Sequence, residues 1–420
     1  MTGMKTKAKN NPLVVTGMGA VTPIGIGVDE YWKNLVGGKC GVERITRFDT
    51  EHLPVKIAAE VRGFDPLSFM PKKLTREMDV FMQYGYAATM EAISQAGTDI
   101  AAPERFGITI GTALGGIAPI AQTQDGISRG EHKKVSPRFV PKIIGNELAA
   151  QIAIEKGYRG PSLTIGTACS SGGDAISTAA MLLLSGQADA VLVTGAESAL
   201  SPLFILGLAS AHALSTNNDN PQTASRPFDK DRDGFVIGEG GGALILETKE
   251  NATRRGAEIL AELSGFANCT DGYHVTSPHP DGTGAVACME LAMEYAGLTT
   301  EDIGYINTHG TSTPVGDPIE TNAIAKVFGE HTRDMAVTST KGATGHMMGA
   351  GGITEAIACI QCIREGIVPP TLNLKNLDEK CASLSYVPGK AVKKEVRSAM
   401  SNSFGFGGQN SSVIFSKPES

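Results

Sequence analysis

The amino-acid sequence predicts an α/β protein built from two halves of similar order. Short apolar strand patterns alternate with helical patterns, the order of the first half recurs in the second, and 51 glycines among 420 residues indicate a tightly turned chain. Strands that alternate with helices belong to sheets covered by helices on both faces, and a repeated order indicates an internal duplication. We place the boundary between the halves after residue 257, which predicts domains at residues 1–257 and 258–420.

The first half begins with a strand at residues 13–16, followed by a turn from Gly17 to Pro23. The turn is similar to the start of a dinucleotide-binding loop. However, Thr22 replaces the third glycine and Pro23 stands where a helix should begin, so no dinucleotide site is predicted. Apolar periodicity predicts the elements that follow: helices at residues 28–35, 75–95 and 145–155 and after Ser171, and strands at residues 106–110, 163–165, 190–193 and 242–246.

The second half repeats this alternation of strands and helices. The predicted strands lie at residues 259–266, 304–308 and 335–338 and near Leu384, Ala399 and Ser412, and the predicted helices at residues 285–296, 317–328 and 344–364. Two short motifs in the chain are typical of metal sites. Residues 229–234 copy the first half of a calcium loop, but the twelfth position is Gly240 rather than a carboxylate. Cys359 and Cys362 lie in an apolar helical run, which favours core packing. No metal is predicted.

Composition and charge limit the classes of function. A net charge of −7 gives no sign of a nucleic-acid-binding protein. Seven scattered cysteines, an odd number, favour a reducing compartment over a disulfide framework. The apolar segment Leu13 to Val15 is too short for the core of a signal peptide, and no run is long enough to span a membrane. We therefore expect a cytoplasmic protein.

Cys169 is the first candidate catalytic residue. It lies in the stretch TIGTACSSGGD, residues 164–174, where a short strand runs into small residues and then into a helical pattern. This order places Cys169 at the start of a helix, where free N–H groups lower the pKa of a thiol and favour the thiolate. A buried structural cysteine is the alternative, because free cysteine packs as a small apolar residue.

Two histidines and a glycine-rich stretch complete the candidate site. His309 follows the strand at residues 304–308, and His346 lies between a strand and a helix that carries Glu355. Sites of α/β proteins lie at such strand ends, although either histidine alone is more often structural. The stretch SNSFGFGGQN, residues 401–410, stops a strand in glycines that allow a backbone N–H to approach a ligand. Such a donor could complete an oxyanion hole with the Cys169 N–H, whereas a simple hairpin turn is the alternative.

Along nearly its whole length the sequence resembles the elongating β-ketoacyl-acyl carrier protein synthases, and among them synthase II. Motifs in matching order carry the resemblance: TACSSG at residues 167–172, residues 226–240, HGTST at 309–313, KGATGH at 341–346 and NSFGFGG at 402–408. The resemblance implies the thiolase fold, which is a duplicated α/β unit in five layers (αβαβα), and a homodimer. It also implies an acyl carrier protein as partner and no cofactor.

The resemblance implies a role for each matched residue. Cys169 would carry the acyl chain as a thioester, and His309 and His346 would support decarboxylation of the malonyl group. Lys341 and Glu355 would order the site. Phe404 would gate the nucleophile, and its N–H would complete the oxyanion hole. The residues implied to meet the pantetheine arm or the acyl chain are Thr311, Thr313, Leu114, Leu208 and Phe406.

The same resemblance leaves several functions open. Priming synthases and chalcone synthases carry asparagine where this chain has His346, and thiolases use a second catalytic cysteine, so His346 favours the elongating class. Fatty acid elongation is the expected pathway, and a discrete polyketide ketosynthase is the main alternative. A non-catalytic chain-length partner is disfavoured because such subunits lack the nucleophile that Cys169 supplies here.

Departures from the family pattern affect the carrier protein and the acyl chain. His212 stands where related sequences commonly have an arginine that contacts the carrier, and Leu208 stands where phenylalanine is frequent. Together with Leu114, Leu208 could reshape the acyl tunnel. Because the carrier is acidic in this family, a basic patch is expected. The candidates for this patch are Lys72, Lys73, Arg76, Lys133 and Lys134.

Overall fold

The computed structural model describes residues 11–418, whose strands form one hydrogen-bonded sheet and two small ones. The strands are β1 (Leu13–Thr22), β2 (Gly25–Ile26), β3 (Glu43–Arg44), β4 (Ile57–Ala58), β5 (Phe106–Gly111), β6 (Ser162–Ile165), β7 (Ala190–Glu197), β8 (Gly240–Thr248), β9 (Ala261–Thr270), β10 (Ile303–Asn307), β11 (Ala336–Thr338), β12 (Ile367–Val368), β13 (Val392–Lys393), β14 (Ser398–Gly405) and β15 (Gln409–Ser416).

Helices lie between and outside these strands. They are α1 (Val28–Val36), α2 (Lys72–Glu77), α3 (Val80–Ala96), α4 (Ile117–Ser128), α5 (Phe139–Ile143), α6 (Glu147–Lys156), α7 (Ser171–Leu184), α8 (Pro202–Ser210), α9 (Lys249–Arg254), α10 (Thr283–Ala296), α11 (Gly316–Phe328), α12 (Lys341–Thr344) and α13 (Gly351–Glu365). The segments before β9 and after it therefore alternate strands with helices, as the sequence predicts.

The large sheet repeats one topology twice. Its order is β11-β10-β14-β15-β9-β1-β8-β7-β5-β6. In the first half β6, β5 and β7 are parallel and β8 and β1 follow antiparallel. In the second half β11, β10 and β14 are parallel and β15 and β9 follow antiparallel. The halves join where Leu13 pairs with Leu263 and Val15 with Ala261. The duplication is confirmed, whereas the boundary after residue 257 stays a prediction.

Five layers result from the placement of the helices. Helices α7 and α13 lie in the middle, because each contacts strands of both halves: α7 contacts β5, β7 and β15, and α13 contacts β8, β14 and β15. Helix α3 covers β1, β7 and β8 from outside, and α10 covers β9 and β15. This αβαβα arrangement brings the starts of the two central helices together, and that is where the candidate site lies.

The first strand is longer than predicted, because the predicted turn belongs to it. Gly17 and Gly19 lie within β1 and face α3. A Cβ atom at Gly17 would lie 2.1 Å from the Ala92 carbonyl oxygen, and one at Gly19 would lie 1.9 Å from that of Ala88. These glycines permit close helix–strand packing rather than a turn.

Several predicted boundaries were wrong. The helix predicted at 75–95 is interrupted where Met78 adopts an extended conformation (φ −91°, ψ 146°) with its side chain buried in the core. The long helix predicted from residue 344 begins at Gly351, and near Leu384 the structure has only an isolated bridge between Val337 and Tyr386. Five helices were not predicted from the sequence: α4, α5, α8, α9 and α12.

The two motifs that are typical of metal sites have structural roles here, one in a turn and the other in the core. Asp229 accepts backbone N–H groups from Asp231, Lys375 and Asn376, so its carboxylate fixes a turn. Cys359 and Cys362 lie fully buried on α13. Among residues 11–418, no helix combines the length and apolar character needed to cross a membrane.

Candidate active site

Cys169 lies in a sharp turn between β6 and α7. The turn is a single 3₁₀ turn, Ala168–Ser170, and Ala168 has a left-handed backbone with φ of 51°. That conformation costs a non-glycine residue roughly 1–2 kcal/mol. Asp174, in the first turn of α7, compensates by accepting hydrogen bonds from Thr167 Oγ1 at 2.6 Å and Ser170 Oγ at 3.0 Å. The strand–turn–helix position predicted for Cys169 is therefore confirmed.

His346 faces the nucleophile directly. Its Nε2 lies 3.0 Å from Cys169 Sγ. The residue is buried in the segment between α12 and α13, where its backbone N–H donates to the Val236 carbonyl at 2.7 Å. This anchoring to the strand-like segment 235–238 fixes the imidazole against the sulfur.

His309 completes the cluster from the end of β10. Its N–H and that of Gly310 donate to the two carboxylate oxygens of Glu320 on α11, at 2.8 and 2.7 Å. The His309 ring centre is 5.2 Å from that of His346, with an angle of 86° between the planes. One ligand-type atom from each of Cys169, His309 and His346 lies within 4.8 Å of the others. Such a set could hold Zn²⁺, but its soft and neutral groups also suit acyl transfer.

Burial sets the protonation of the two imidazoles. The pKa of His309 and that of His346 are lowered well below the usual value, first by burial and then by the positive charge of Lys341. Both rings are therefore neutral near pH 7 and each carries one N–H donor. Neutral rings can also accept a proton, which an imidazolium cannot.

The predicted thiolate at Cys169 is not supported. Burial raises the pKa of Cys169 to about 11, although Lys341 and the N–H of Phe406 act in the opposite direction. The resting group is thus a thiol, because desolvation penalises the charged form more than its neighbours stabilise it. Activation therefore needs a base, and His346 Nε2 is within hydrogen-bond distance.

Lys341 and Glu355 form a buried ion pair behind the histidines. Lys341 is on α12 and Glu355 on α13, and both side chains are almost fully buried. Neither residue lines the cavity described below. Their predicted ordering role fits this position, and the charge on Lys341 acts on both imidazoles.

The backbone donor beside Cys169 differs from the predicted one. Phe404 is a strand residue of β14 that pairs with Asn410, whereas the N–H of Phe406, in the following turn, donates to the Cys169 sulfur. Gly405 allows this approach, since a Cβ atom there would lie 2.8 Å from the Thr167 carbonyl oxygen. The structure therefore places Phe406, not Phe404, as the backbone donor. Phe404 instead contacts His309, with ring centres 6.0 Å apart.

A cavity of about 430 Å³ leads to the cluster. All five residues predicted to meet substrate line it: Leu114, Leu208, Thr311, Thr313 and Phe406. Thr311 and Thr313 lie together, with their hydroxyl oxygens 3.1 Å apart. The exposed His212 also lies at this cavity. Unpredicted lining residues include Phe204, Phe235 and Met348, which are apolar residues without a local signal.

Two carboxylates that the sequence analysis missed hold the walls of the site. Glu320 positions the His309 backbone, as described above. Glu197, at the end of β7, accepts the N–H groups of Ala113 at 2.7 Å and Leu114 at 3.3 Å. Burial raises the pKa of Glu197 to about 7 and that of Glu320 to about 8.

The predicted basic residues lie outside the cavity. Lys72, Lys73 and Arg76 are exposed on α2. Lys133 and Lys134 are exposed in the segment after α4, and Lys134 pairs with Glu131 at 2.9 Å.

Comparisons with known proteins show the family of the chain. Residues 10–252 match the family model "Beta-ketoacyl synthase, N-terminal domain", and residues 260–375 match "Beta-ketoacyl synthase, C-terminal domain". The chain is 46% identical to 3-oxoacyl-[acyl-carrier-protein] synthase 2 of Vibrio cholerae, covering 96% of this chain and 99% of that one. It is 41% identical to the synthase of the same name from Staphylococcus aureus strain COL, covering 98% and 100%.

Solved structures show the same fold. A beta-ketoacyl synthase from Burkholderia phymatum STM815 superposes with a TM-score of 0.90 at 35% identity, covering 97% of this chain and all of that one. The ishigamide ketosynthase/chain length factor has a TM-score of 0.90 at 34% identity, with the same coverage. Since family models match most of the chain and relatives above 40% identity match nearly all of it, the chain belongs to the beta-ketoacyl synthase family.

Proposed function

We propose that the protein elongates acyl chains by condensing an acyl group, held as a thioester on Cys169, with malonyl-acyl carrier protein. The products are 3-oxoacyl-acyl carrier protein and CO₂, and the pathway is fatty acid synthesis. The contact of 3.0 Å between Cys169 Sγ and His346 Nε2, beside His309 and a largely apolar cavity, carries this proposal. This arrangement of side chains brings a nucleophile, a base and hydrogen-bond donors together in one water-poor site.

The first step transfers the acyl chain. Cys169 gives its proton to His346 Nε2 while the sulfur attacks the thioester carbon of the acyl carrier. The oxyanion that forms accepts hydrogen bonds from the backbone N–H groups of Cys169 and Phe406. When the tetrahedral intermediate collapses, the carrier sulfur leaves and takes the proton from His346.

The second step creates the new carbon–carbon bond. The malonyl carboxylate leaves as CO₂, and its bonding electrons form an enolate whose oxygen accepts hydrogen bonds from His309 and from His346. For this step the single N–H of the neutral His346 ring is on Nε2, whereas it is on Nδ1 when Nε2 accepts the thiol proton. The enolate carbon attacks the acyl thioester, and Cys169 leaves as a thiolate that takes up one proton from solvent. Each donor aimed at an oxyanion is worth roughly 3 kcal/mol. This step needs no strong base, since CO₂ loss supplies the electron pair.

Replacing His309 with alanine should separate the two steps. We expect a loss of condensation of about 10²–10³-fold, because one oxyanion donor disappears. Acylation of Cys169 should change much less, since His346 makes the contact with the sulfur. Product formation by chromatography and the acyl mass on the intact protein measure the two steps separately. Equal losses in both steps would contradict this division of roles.

The overall reaction is tested with carrier-bound substrates. The protein is mixed with acyl carrier protein loaded with malonyl and with saturated acyl groups of medium and long chain length, and 3-oxoacyl product and CO₂ are measured. We expect product without added metal and in the presence of a chelator. Turnover of acetyl-CoA alone would instead indicate a thiolase-like enzyme, and absence of both activities would indicate a chain-length partner.

A discrete polyketide ketosynthase is the second candidate. It is favoured by structural similarity to proteins described as polyketide ketosynthases, such as a type II system with 30% identity and a TM-score of 0.87. Leu114 and Leu208 line the cavity where chain length would be selected. Poor turnover of every saturated chain would favour this candidate over fatty acid elongation.

We propose that the acidic carrier docks on the exposed basic residues of α2. One structural relative is described as an acyl-carrier protein in complex with its ketosynthase, which supports a carrier as partner of this chain. Lys72→Glu combined with Lys73→Glu should weaken carrier binding several-fold at low salt and much less at high salt, because exposed charges are screened.

Lys390→Glu combined with Lys393→Glu is the matched control, because it makes the same charge change at exposed residues that do not line the cavity. Binding is measured by calorimetry at two ionic strengths. Equal affinities for the α2 variant and the control would remove α2 as the docking site.

We also propose a homodimer in the cytoplasm. Strand β6 ends the large sheet, and Leu163 on it is 46% exposed. An exposed edge strand is a template for pairing, and two copies can pair symmetrically about a two-fold axis. A reducing compartment keeps the Cys169 thiol available. Light scattering that gives a monomer mass at micromolar concentration would contradict the dimer.

A further inference from the structure

A second pair of thiols faces each other where β9 packs on α10. Gly265 on β9 faces this helix, since a Cβ atom there would lie 2.3 Å from the Ala292 carbonyl oxygen. Side chains of alternate strand residues point the same way, so Cys269 faces α10 as well. Cys288 lies one helical turn before Ala292. The strand and the helix therefore bring Cys269 and Cys288 to the same place.

The contacts of the two sulfur atoms are unequal. The Cys288 thiol is fully buried and lies 3.3 Å from the Ala267 carbonyl oxygen and 3.4 Å from that of Asn410. It also makes a hydrogen bond with the sulfur of Cys269, which is partly exposed. One thiol of the pair is thus accessible to a small reagent, and the other is shielded but within reach of the first.

The hydrogen bond makes the exposed sulfur the more acidic one. It lowers the pKa of Cys269 below the usual value and raises the pKa of Cys288 above it. A thiolate is the nucleophile in thiol oxidation. Cys269 is therefore placed as the attacking thiol and Cys288 as the resolving thiol, which is the arrangement of redox-responsive pairs.

We propose that Cys269 and Cys288 form a peroxide-responsive dithiol that closes to an intramolecular disulfide. The Cys269 sulfur attacks one oxygen of hydrogen peroxide, the O–O bond breaks, and one water leaves as Cys269 becomes a sulfenic acid. The Cys288 sulfur then attacks the Cys269 sulfur, the S–O bond breaks, and a second water leaves. Two thiols lose two electrons and two protons, and one peroxide is reduced to two waters.

The dithiol lies at the base of a cavity wall. Cys269 pairs in register with Asn410, whose Nδ2 donates to Asp271 at 2.7 Å, and both Asn410 and Asp271 line the cavity. The segment from Asp271 to Gly282 joins β9 to α10 and also contributes Thr276 to the lining. A disulfide between Cys269 and Cys288 would tie together both ends of this wall segment.

The test uses the Cys169→Ala protein, so that the active-site thiol does not react. After exposure to hydrogen peroxide and blocking of free thiols, tryptic digestion yields one peptide, residues 256–326, whose only cysteines are Cys269 and Cys288. We expect this peptide to lose two hydrogen atoms and to accept no blocking group. Cleavage before Asp271 and Asp281 should leave two fragments linked by a bond that dithiothreitol reduces.

Single variants separate the two roles. With Cys288→Ser, which keeps a donor to Cys269, dimedone should trap a sulfenic acid on Cys269. With Cys269→Ala, neither a disulfide nor a dimedone adduct should form on Cys288. Thermal melting confirms that each variant is folded. The proposal is wrong if peptide 256–326 keeps two free thiols, or if Cys269 is oxidised further without becoming linked to Cys288.

Discussion

Replacing Cys169 with alanine is expected to abolish condensation, by at least about 10³-fold, and to leave no acyl adduct on the protein. The sulfur is the acyl acceptor, and no other side chain of the cavity offers a nucleophile at 3.0 Å from His346 Nε2. Loss of a nucleophile removes the covalent route rather than slowing it. Intact-protein mass spectrometry after incubation with acyl carrier protein, together with product analysis, measures both effects.

The same variant should still release CO₂ from malonyl-acyl carrier protein. Decarboxylation depends on the donors of His309 and His346, which the substitution leaves in place. The enolate then takes a proton from solvent instead of attacking an acyl group, so acetyl-carrier is the expected product. Cys381→Ala is the matched control, because it truncates a buried cysteine that does not line the cavity. Condensation by the Cys169→Ala protein would overturn the assignment of the nucleophile.

The positions of the catalytic side chains could be predicted from the sequence because local patterns specify them. Cys169 and His309 each follow a recognisable apolar strand, and strand ends of an α/β fold converge on one edge. The sequence places His346 in a glycine-rich stretch between a predicted strand and a predicted helix, and the structure adds the short helix α12 before it. The resemblance to a known family then gave these three residues their roles, and the structure brings them together.

The protonation state of Cys169 could not be predicted in the same way. A helix start lowers the pKa of a thiol, but the sequence does not show how deeply the turn is buried. In the folded protein burial dominates and raises the pKa to about 11. A helix start lowers the pKa of an exposed thiol, whereas tertiary packing removes water from around Cys169 and outweighs that effect.

The supporting residues had no local signal. Glu197 contacts a backbone 84 residues away in the chain, and Glu320 one 11 residues away, so only the fold reveals their partners. The backbone donor beside Cys169 was predicted to be Phe404 and is Phe406 for a similar reason. Strand β14 continues through Gly405, and this register decides which N–H turns toward the sulfur.

Breaking the ion pair of Lys341 and Glu355 should have the largest effect on stability. Glu355→Gln leaves the Lys341 ammonium buried without its carboxylate, and an unpaired buried charge costs about 3–5 kcal/mol of unfolding free energy. Lys341→Met should cost less, because burial already raises the pKa of Glu355 and the carboxyl can become neutral by binding a proton. Urea denaturation measures both values. Lys134→Met, at an exposed pair, is the control and should change stability by under about 1 kcal/mol.

The double variant Lys341→Met/Glu355→Gln distinguishes a paired role from two separate ones. It removes both charges, so it should be less destabilised than the sum of the single variants. A purely additive result would mean that the two groups do not interact.

Removal of the Lys341 charge should also move the pH profile of condensation. That charge lowers the pKa of His309 and of His346, and His346 must be neutral to accept the thiol proton. Without the Lys341 charge the pKa of both histidines rises, although burial keeps each below the usual value. The acid limb of the pH profile therefore moves to higher pH. Glu355→Gln leaves the Lys341 charge in place and should not move the acid limb upward. An unshifted acid limb in the folded Lys341→Met protein would show that Lys341 serves packing alone, because a group that only fills space cannot change the proton affinity of its neighbours.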